Sequence, residues 1–559
     1  MTGSTKTTIG GYLIQRLQEH GVGHVFGVPG DFVLTFMHEI EQSPLRLINT
    51  CDEQGAGFAA DAYARMNGLG AVAVTYGVGG LKVANTTGQA YAEKSPVVVI
   101  SGAPSMEERR LHPLIHHKVR SYDTQFRVFQ QLTAAATVLD DPECAGSEID
   151  RVLAIARQYS QPVYIELPRN TLDIQIDRPG AQPAVIAESD SQTLAAAVDE
   201  AVEWINRSKR PVIVFGVELY RFGLQDVVLD FIERSGIPAT VTLLDKGAIP
   251  ERHDSFIGVF AGALGRDDVR EYVEGSDCLI MLGTLLTDMN LGSYTARLDP
   301  ARCIHATRER LAIGLHTFER VGLEDFVAGL AQSGVVRRDA SDHPRAPLSQ
   351  DAGVASGDLD RAITIAHLFR RLESFLTDDM IVLADPGDAL FASIDLPVQG
   401  ARAFLAPAFY ASLGFAVPGA IGAQSACPDS RPVVLVGDGA FQMTGVELST
   451  CVKYGLDPLV IVLNNAGYTT ERLILDGGFN DVHPWDYSKL PELLGAGRSF
   501  VVNTVGDLET ALAAASVRDG QFFLVDVRLD KLDVSSALVR LGERLKKAAT
   551  VGARSVPAT

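Results

Sequence analysis

The residues with the clearest chemical use form a spaced pair: Gly437-Asp438-Gly439 and, beyond residues 440–463, Asn464-Asn465. An apolar β-branched run precedes each, VVLV before the glycines and VIVL before the asparagines. Such runs deliver the residues after them to the carboxyl edge of a parallel sheet, where ligands of α/β folds bind. Asp438 and Asn465 can there offer hard oxygens to Mg²⁺, and the glycines let backbone approach a diphosphate at a helix start.

Other segments carry residues that are ordinary one by one. Glu53, in NTCDEQGAGFAADAYAR, stands where a strand-like LRLINT meets a small-residue helix, a place where a carboxylate commonly caps. Asp31 lies in the Pro-Gly turn of FGVPGDF, and His116-His117 in LHPLIHHKVRSYDTQF; by type alone these read as turn chemistry and a surface pair. Glu471, after Gly467-Tyr468-Thr469-Thr470, reads alone as a solvated helix carboxylate, and Leu413, in YASLGF, as core.

The positioning elements are those of an α/β chain. VVVIS (97–101), VIVFG (212–216), CLIMLG (278–283), VVLVG (433–437) and VIVLN (460–464) are apolar on both faces and alternate with helical stretches, as in doubly wound parallel sheets. Ile9, Tyr12, Leu13 and Leu17 recur at helical spacing, which predicts a first helix capped by Thr7 or Thr8 and closed at Gly21 rather than a signal peptide. Polar, irregular text at 177–192 and 337–358 marks two boundaries, and residues from about 544 read as a loose tail. AVAVTYGVGG, a helix and SPVVVIS echo PVVLVGDGAF, a helix and DPLVIVLNN, as two related domains would.

GDG, a spacer and NN, followed by GYTTE, resemble the cofactor motif of the thiamine diphosphate enzymes and, within them, the GYTxE segment of the pyruvate and indolepyruvate decarboxylase branch. The G-x-P-G-D turn and the HH pair 85 positions after Asp31 resemble the same branch, and the context of Glu53 resembles its E-x-x-A/G-G-F/Y-A-A-D segment. The resemblance implies three doubly wound parallel-sheet domains: pyrimidine-binding (1–180), middle (193–340) and diphosphate-binding (360–545). It implies thiamine diphosphate and Mg²⁺ as cofactors, with Asp438, Asn465 and the Gly467 carbonyl holding the metal. Gly387, Asp388, Ala411, Leu413, Gly437, Gly439 and Ala440 would hold the cofactor, and Leu413 would be the wedge that bends it. Asp385 departs from the Glu-Thr-Gly pattern of several pyruvate decarboxylases.

By the same resemblance Glu53 bonds the aminopyrimidine ring, and Asp31, His117 and Glu471 position the substrate carboxylate and relay a proton, with His116 in support. The implied reaction is non-oxidative decarboxylation of a 2-oxo acid to an aldehyde. Pyruvate-preferring members tend to carry a large aromatic residue and an Ile where Leu390 and Thr470 stand, which implies a roomier pocket for phenylpyruvate or indole-3-pyruvate, unless Phe391 or Ile474 compensates. The rival readings are a pyruvate decarboxylase, an acetolactate synthase-type carboligase and a non-catalytic cofactor-binding regulatory protein.

Length and charge agree. At 559 residues the chain needs several cores, and a formal net charge of -20 argues against nucleic-acid or anionic-membrane partners, leaving an anionic ligand dependent on a local cation. The six scattered cysteines suit a reducing, cytoplasmic setting. The resemblance further implies a homo-oligomer, a homotetramer built as a dimer of dimers, with Glu53 of one subunit set against Asp438 of another.

Overall fold

Runs that are apolar on both faces become parallel strands because only burial under helices on each side keeps them from water. In the computed structural model, which describes residues 6–178, 188–339, 342–345, 359–400 and 402–553, the chain forms two compact units. The first comprises residues up to 186 together with 414–430 and 444–458; the second holds the remainder from 187. No helix among the described residues is long and apolar enough to cross a membrane.

The first unit is built on strands β1 (His24–Gly27), β2 (Arg46–Asn49), β3 (Gly70–Val74), β4 (Val97–Ala103), β5 (Ala135–Val138) and β6 (Val163–Pro168), in the order β2-β1-β3-β4-β6-β5. Every pairing is parallel. The first helix runs Ile9–Glu19, and the Thr8 side chain accepts from the Gly11 amide as its cap. Helix Glu53–Asn67 packs along helix Ala416–Ala426 so closely that a Cβ on Gly422 would lie 2.0 Å from the Ala59 carbonyl oxygen. Arg65, fully buried in the same helix, pairs with Asp61 (2.8 Å) and Glu93 (2.9 Å). Breaking such a buried set would leave uncompensated charge, so it locks the helix in one setting.

The second unit contains two sheets. One comprises β7 (Pro211–Phe215), β8 (Ala239–Thr242), β9 (Phe256–Phe260), β10 (Cys278–Leu282), β11 (Cys303–Ala306), β12 (Leu311–Ile313) and β13 (His316–Phe318), in the order β9-β8-β7-β10-β11-β12-β13. Its first five strands are parallel, and β12 and β13 add an antiparallel edge. The other comprises β14 (Met380–Ala384), β15 (Phe404–Leu405), β16 (Arg431–Gly437), β17 (Leu459–Asn464), β18 (Arg498–Val502) and β19 (Phe523–Arg528), all parallel, in the order β15-β14-β16-β17-β19-β18.

Numbered within their own sheets, the first and last sheets share one winding, 2-1-3-4-6-5. In each, the first strand leads into Pro-Gly-Asp, ending at Asp31 in one and Asp388 in the other. The echo between the two segments is therefore topological as well as textual. The expected loose tail is partly overturned: helix Ser536–Ala553 occupies most of it, and 554–559 lie outside the described residues. Residues 179–187, 340–341 and 346–358, the bulk of both expected boundaries, also lie outside them.

Candidate active site

Within the first unit, the carboxyl ends of two strands on either side of β3 gather three of the predicted residues. Asp31 follows β1, and His116 and His117 lie in the long connection after β4. His116 Nε2 is 2.8 Å from Asp31 Oδ2, the two histidine rings meet edge to face at 4.6 Å, and His116 stacks on Phe32 at 5.1 Å. One ligand-type atom from each of Asp31, His116 and His117 lies within 4.8 Å of the others, so one small polar group can reach all three. His117 adopts a left-handed backbone (φ 65°), and its Nδ1 is buried without a hydrogen-bond partner among the described residues.

Glu53 follows β2 and opens its helix, with Asp52 capping by accepting from the Gln54 amide. It is buried, and Lys82 Nζ pairs with its Oε2 at 2.8 Å. The turn that carries it is seated by Glu447, a residue in no recognisable motif. The Glu447 carboxylate accepts the Cys51 and Asp52 amides, each at 3.1 Å. Burial raises the Glu447 carboxyl above its ordinary range, against the pull of those amides.

The second unit holds a cavity of about 350 Å³ at the carboxyl edge of the last sheet. Its wall includes Gly387, Asp388, Ala411, Leu413, Gly437, Asp438, Gly439, Ala440, Asn465, Gly467, Thr470 and Glu471, which between them cover every diphosphate-side residue that the motifs suggested. Asp438 opens the helix after β16; its Oδ1 accepts the Gly439 amide at 2.7 Å and its Oδ2 the Gly467 amide at 3.0 Å. The two asparagines divide the work. Asn464 donates to Asp526 at 2.8 Å, whereas Asn465 Oδ1 is buried with no partner among the described residues.

A hard divalent cation fits this set. Burial pushes the Asp438 carboxyl up to about 6, the mark of an anion that lacks a countercharge, and the open Asn465 oxygen sits at the same edge. Two oxygens of this kind with a nearby backbone carbonyl are what Mg²⁺ takes when phosphate oxygens complete its shell.

Two of the residues expected in the substrate pocket lie off the wall of this cavity. Leu390 is fully buried in the hydrophobic core and does not line the cavity; Ala389 and Phe391, on either side of it, do. Helix Asp388–Ala392 turns successive residues by about 100°, so neighbours in sequence face different ways. Ile474, 77% exposed, stands outside the cavity wall as well. Met289 and Tyr468 line it without having been anticipated, and nothing in the local text around Met289 signals a ligand.

Comparison with known proteins agrees with this geometry. Residues 7–126 match the thiamine pyrophosphate enzyme N-terminal TPP binding domain, 198–328 the central domain and 387–527 the C-terminal TPP binding domain. The chain is 36% identical over 539 residues to an indole-3-pyruvate decarboxylase of Azospirillum brasilense, covering 96% of this chain and 98% of that one. It belongs to the thiamine diphosphate-dependent 2-oxo acid decarboxylases. Alpha-keto-acid decarboxylases of Mycobacterium tuberculosis (strain ATCC 25618 / H37Rv) and Mycobacterium avium (strain 104) are 33% and 32% identical, each covering 96% of both chains. Family membership makes this chain a carboxy-lyase and gives it thiamine diphosphate as cofactor.

Proposed function

We propose that this decarboxylase converts an aromatic or long-chain 2-oxo acid, phenylpyruvate or indole-3-pyruvate, to the aldehyde and CO₂, with Mg²⁺ anchoring its cofactor. The observation that carries the metal assignment is the open, buried Asn465 oxygen beside Asp438. Thiamine diphosphate, when bound, supplies the electron sink for the pair released with CO₂. Glu53 holds the ring nitrogen of the aminopyrimidine, and Asp438, Asn465 and the Gly467 carbonyl hold the metal. Leu413, on the cavity wall, would be the residue that supports the cofactor. Asp31, His117 and Glu471 orient the substrate carboxylate and deliver the proton that completes the aldehyde, with His116 fixing Asp31 through its 2.8 Å contact.

The domain limits 1–180 and 193–340 are supported by one large sheet apiece, and the third domain, from 360, is better ended at Ala553. On the family resemblance the active form is a homo-oligomer, a dimer of dimers, working in the cytoplasm.

Substrate size is argued from Thr470, a small residue on the cavity wall. A small pocket excludes a large acid by overlap far more sharply than a large one rejects a small acid, since a missing methylene costs only about 1–3 kcal/mol. The wild type should show higher kcat/KM for phenylpyruvate and indole-3-pyruvate than for pyruvate. Thr470→Ile should move the phenylpyruvate-to-pyruvate ratio toward pyruvate by about tenfold or more. A wild type that favours pyruvate would refute the size argument and leave the decarboxylase assignment untouched. Leu390→Trp, which the sequence alone recommends, is the wrong probe, because a larger side chain there overpacks the core.

The histidine pair has its own test. Gly77 has φ 68°, and a Cβ built on it would lie 2.4 Å from the His117 carbonyl oxygen. Gly77→Ala should therefore shift His117 and lower kcat by about 10²-fold, the usual cost of a misplacement near 1 Å, with cofactor affinity retained. Wild-type kcat in that variant would count against the relay.

A further inference from the structure

One polar group on the cavity wall has an oxygen to which neither catalysis nor metal binding gives a use. Asp388 is 7% exposed; its Oδ2 accepts the Ser535 amide at 2.8 Å, while its Oδ1 is buried with no partner among the described residues. The charged groups around it offer no relief. Asp533 adds negative charge, and Arg540, on the helix packed against Asp388–Ala392, is engaged by Asp395 at 2.8 Å and by the Leu264 carbonyl. From the β16 side, the charged residue on the same cavity wall is another carboxyl, Asp438, with no cation beside it among the residues that line the cavity.

An ionised Asp388 would thus set a bare carboxylate oxygen in a cavity that receives a diphosphate, and two anionic oxygens without a proton between them repel. A carboxylic acid at the same place offers an O–H to an acceptor that has no other use for it. We propose that Asp388 takes up a proton when thiamine diphosphate binds and, as a neutral acid, donates its Oδ1 hydrogen to a diphosphate oxygen. This rests on the reading that the cavity takes the diphosphate end of the cofactor.

Burial already pushes the Asp388 carboxyl up to about 6, with Asp533 adding to the rise and the Ser535 contacts opposing it. Incoming diphosphate charge raises it further, since Mg²⁺ together with Asp438 and an ionised diphosphate still sums to a negative charge. Below pH about 6 free protein and complex both hold the proton, and affinity does not depend on it. Above that, binding must take up a proton, so the dissociation constant should rise by about tenfold per pH unit until the pKa of the complex is reached.

The test is calorimetric titration of the Mg²⁺-saturated apoprotein with thiamine diphosphate at pH 8, in buffers of different ionisation enthalpy. Asp388→Asn and Asp388→Ser, which keep a donor that does not titrate, serve as controls. Wild type should take up about one proton more than either variant, and its affinity should fall with pH more steeply than theirs. A wild-type infrared difference spectrum should gain a protonated-carboxyl band on binding, a readout that does not depend on either variant folding. Equal proton uptake in all three proteins, or no such band, overturns the proposal alone. Failure of thiamine diphosphate to bind wild type at any pH overturns the cofactor reading with it.

Discussion

Glu53→Gln should lower decarboxylation by about 10²–10⁴-fold, the range that a lost acid–base group commonly costs, without loss of fold. The helix that Glu53 opens is held by contacts the substitution does not touch: Asp52 still caps it, the Glu447 carboxylate still takes the Cys51 and Asp52 amides, and Arg65 still binds Asp61 and Glu93. The change is confined to one oxygen, from a group that can share a proton with the ring nitrogen to one that cannot. The Lys82 contact at 2.8 Å would weaken as well, but Lys82 is half-exposed, and a pair of that kind contributes little to stability. The check is turnover at saturating thiamine diphosphate alongside the thermal unfolding midpoint. Wild-type turnover in Glu53→Gln removes Glu53 from the chemistry; a large drop in midpoint would make its role structural.

Asp438→Ala should abolish activity and with it the cofactor's effect on stability. Wild-type protein should lose thiamine diphosphate and activity to a chelator and regain both with Mg²⁺ and cofactor. Each saturating ligand raises the unfolding free energy, by about 2.7 kcal/mol at 100 times its dissociation constant, so the wild-type melting temperature should rise on adding the pair. In Asp438→Ala the rise should vanish. The substitution also frees the Gly439 and Gly467 amides, so Asp438→Asn, which keeps an acceptor for one of them, separates loss of the loop from loss of the metal. Chelated wild type that keeps its cofactor and its full activity would show the metal reading to be wrong.

Much of this site was legible because spacing ties residues to strand ends. The runs before GDG and NN became β16 and β17, adjacent and parallel, so the 24-residue gap places Asp438 and Asn465 at one edge. The Pro-Gly-Asp turn and the histidine pair likewise belong to β1 and β4, and the structure brings Asp31 within hydrogen-bonding distance of His116. The illegible remainder depends on rotation or on distant chain. Whether Leu390 or Phe391 faces the cavity is decided by about 100° of helical turn, which an offset from a glycine does not fix. Glu447 reaches the turn before Glu53 from 396 residues away along the chain, and Met289 comes from the connection after β10; neither stands in a local pattern that announces its partner.

The lacing of the first compact unit bears on how the protein is made. That unit takes in residues 414–430 and 444–458, including the helix against which Glu53–Asn67 packs and the carboxylate that seats its first turn. During synthesis the first 186 residues leave the ribosome long before those segments exist, and at about 5–20 residues per second the wait is on the order of tens of seconds. Through that interval the small-residue face of helix Glu53–Asn67 has no cover. The nascent chain should then depend on holding chaperones, and a fragment cut after its first sheet should aggregate when expressed alone; a soluble, folded fragment of residues 1–186 would overturn that expectation.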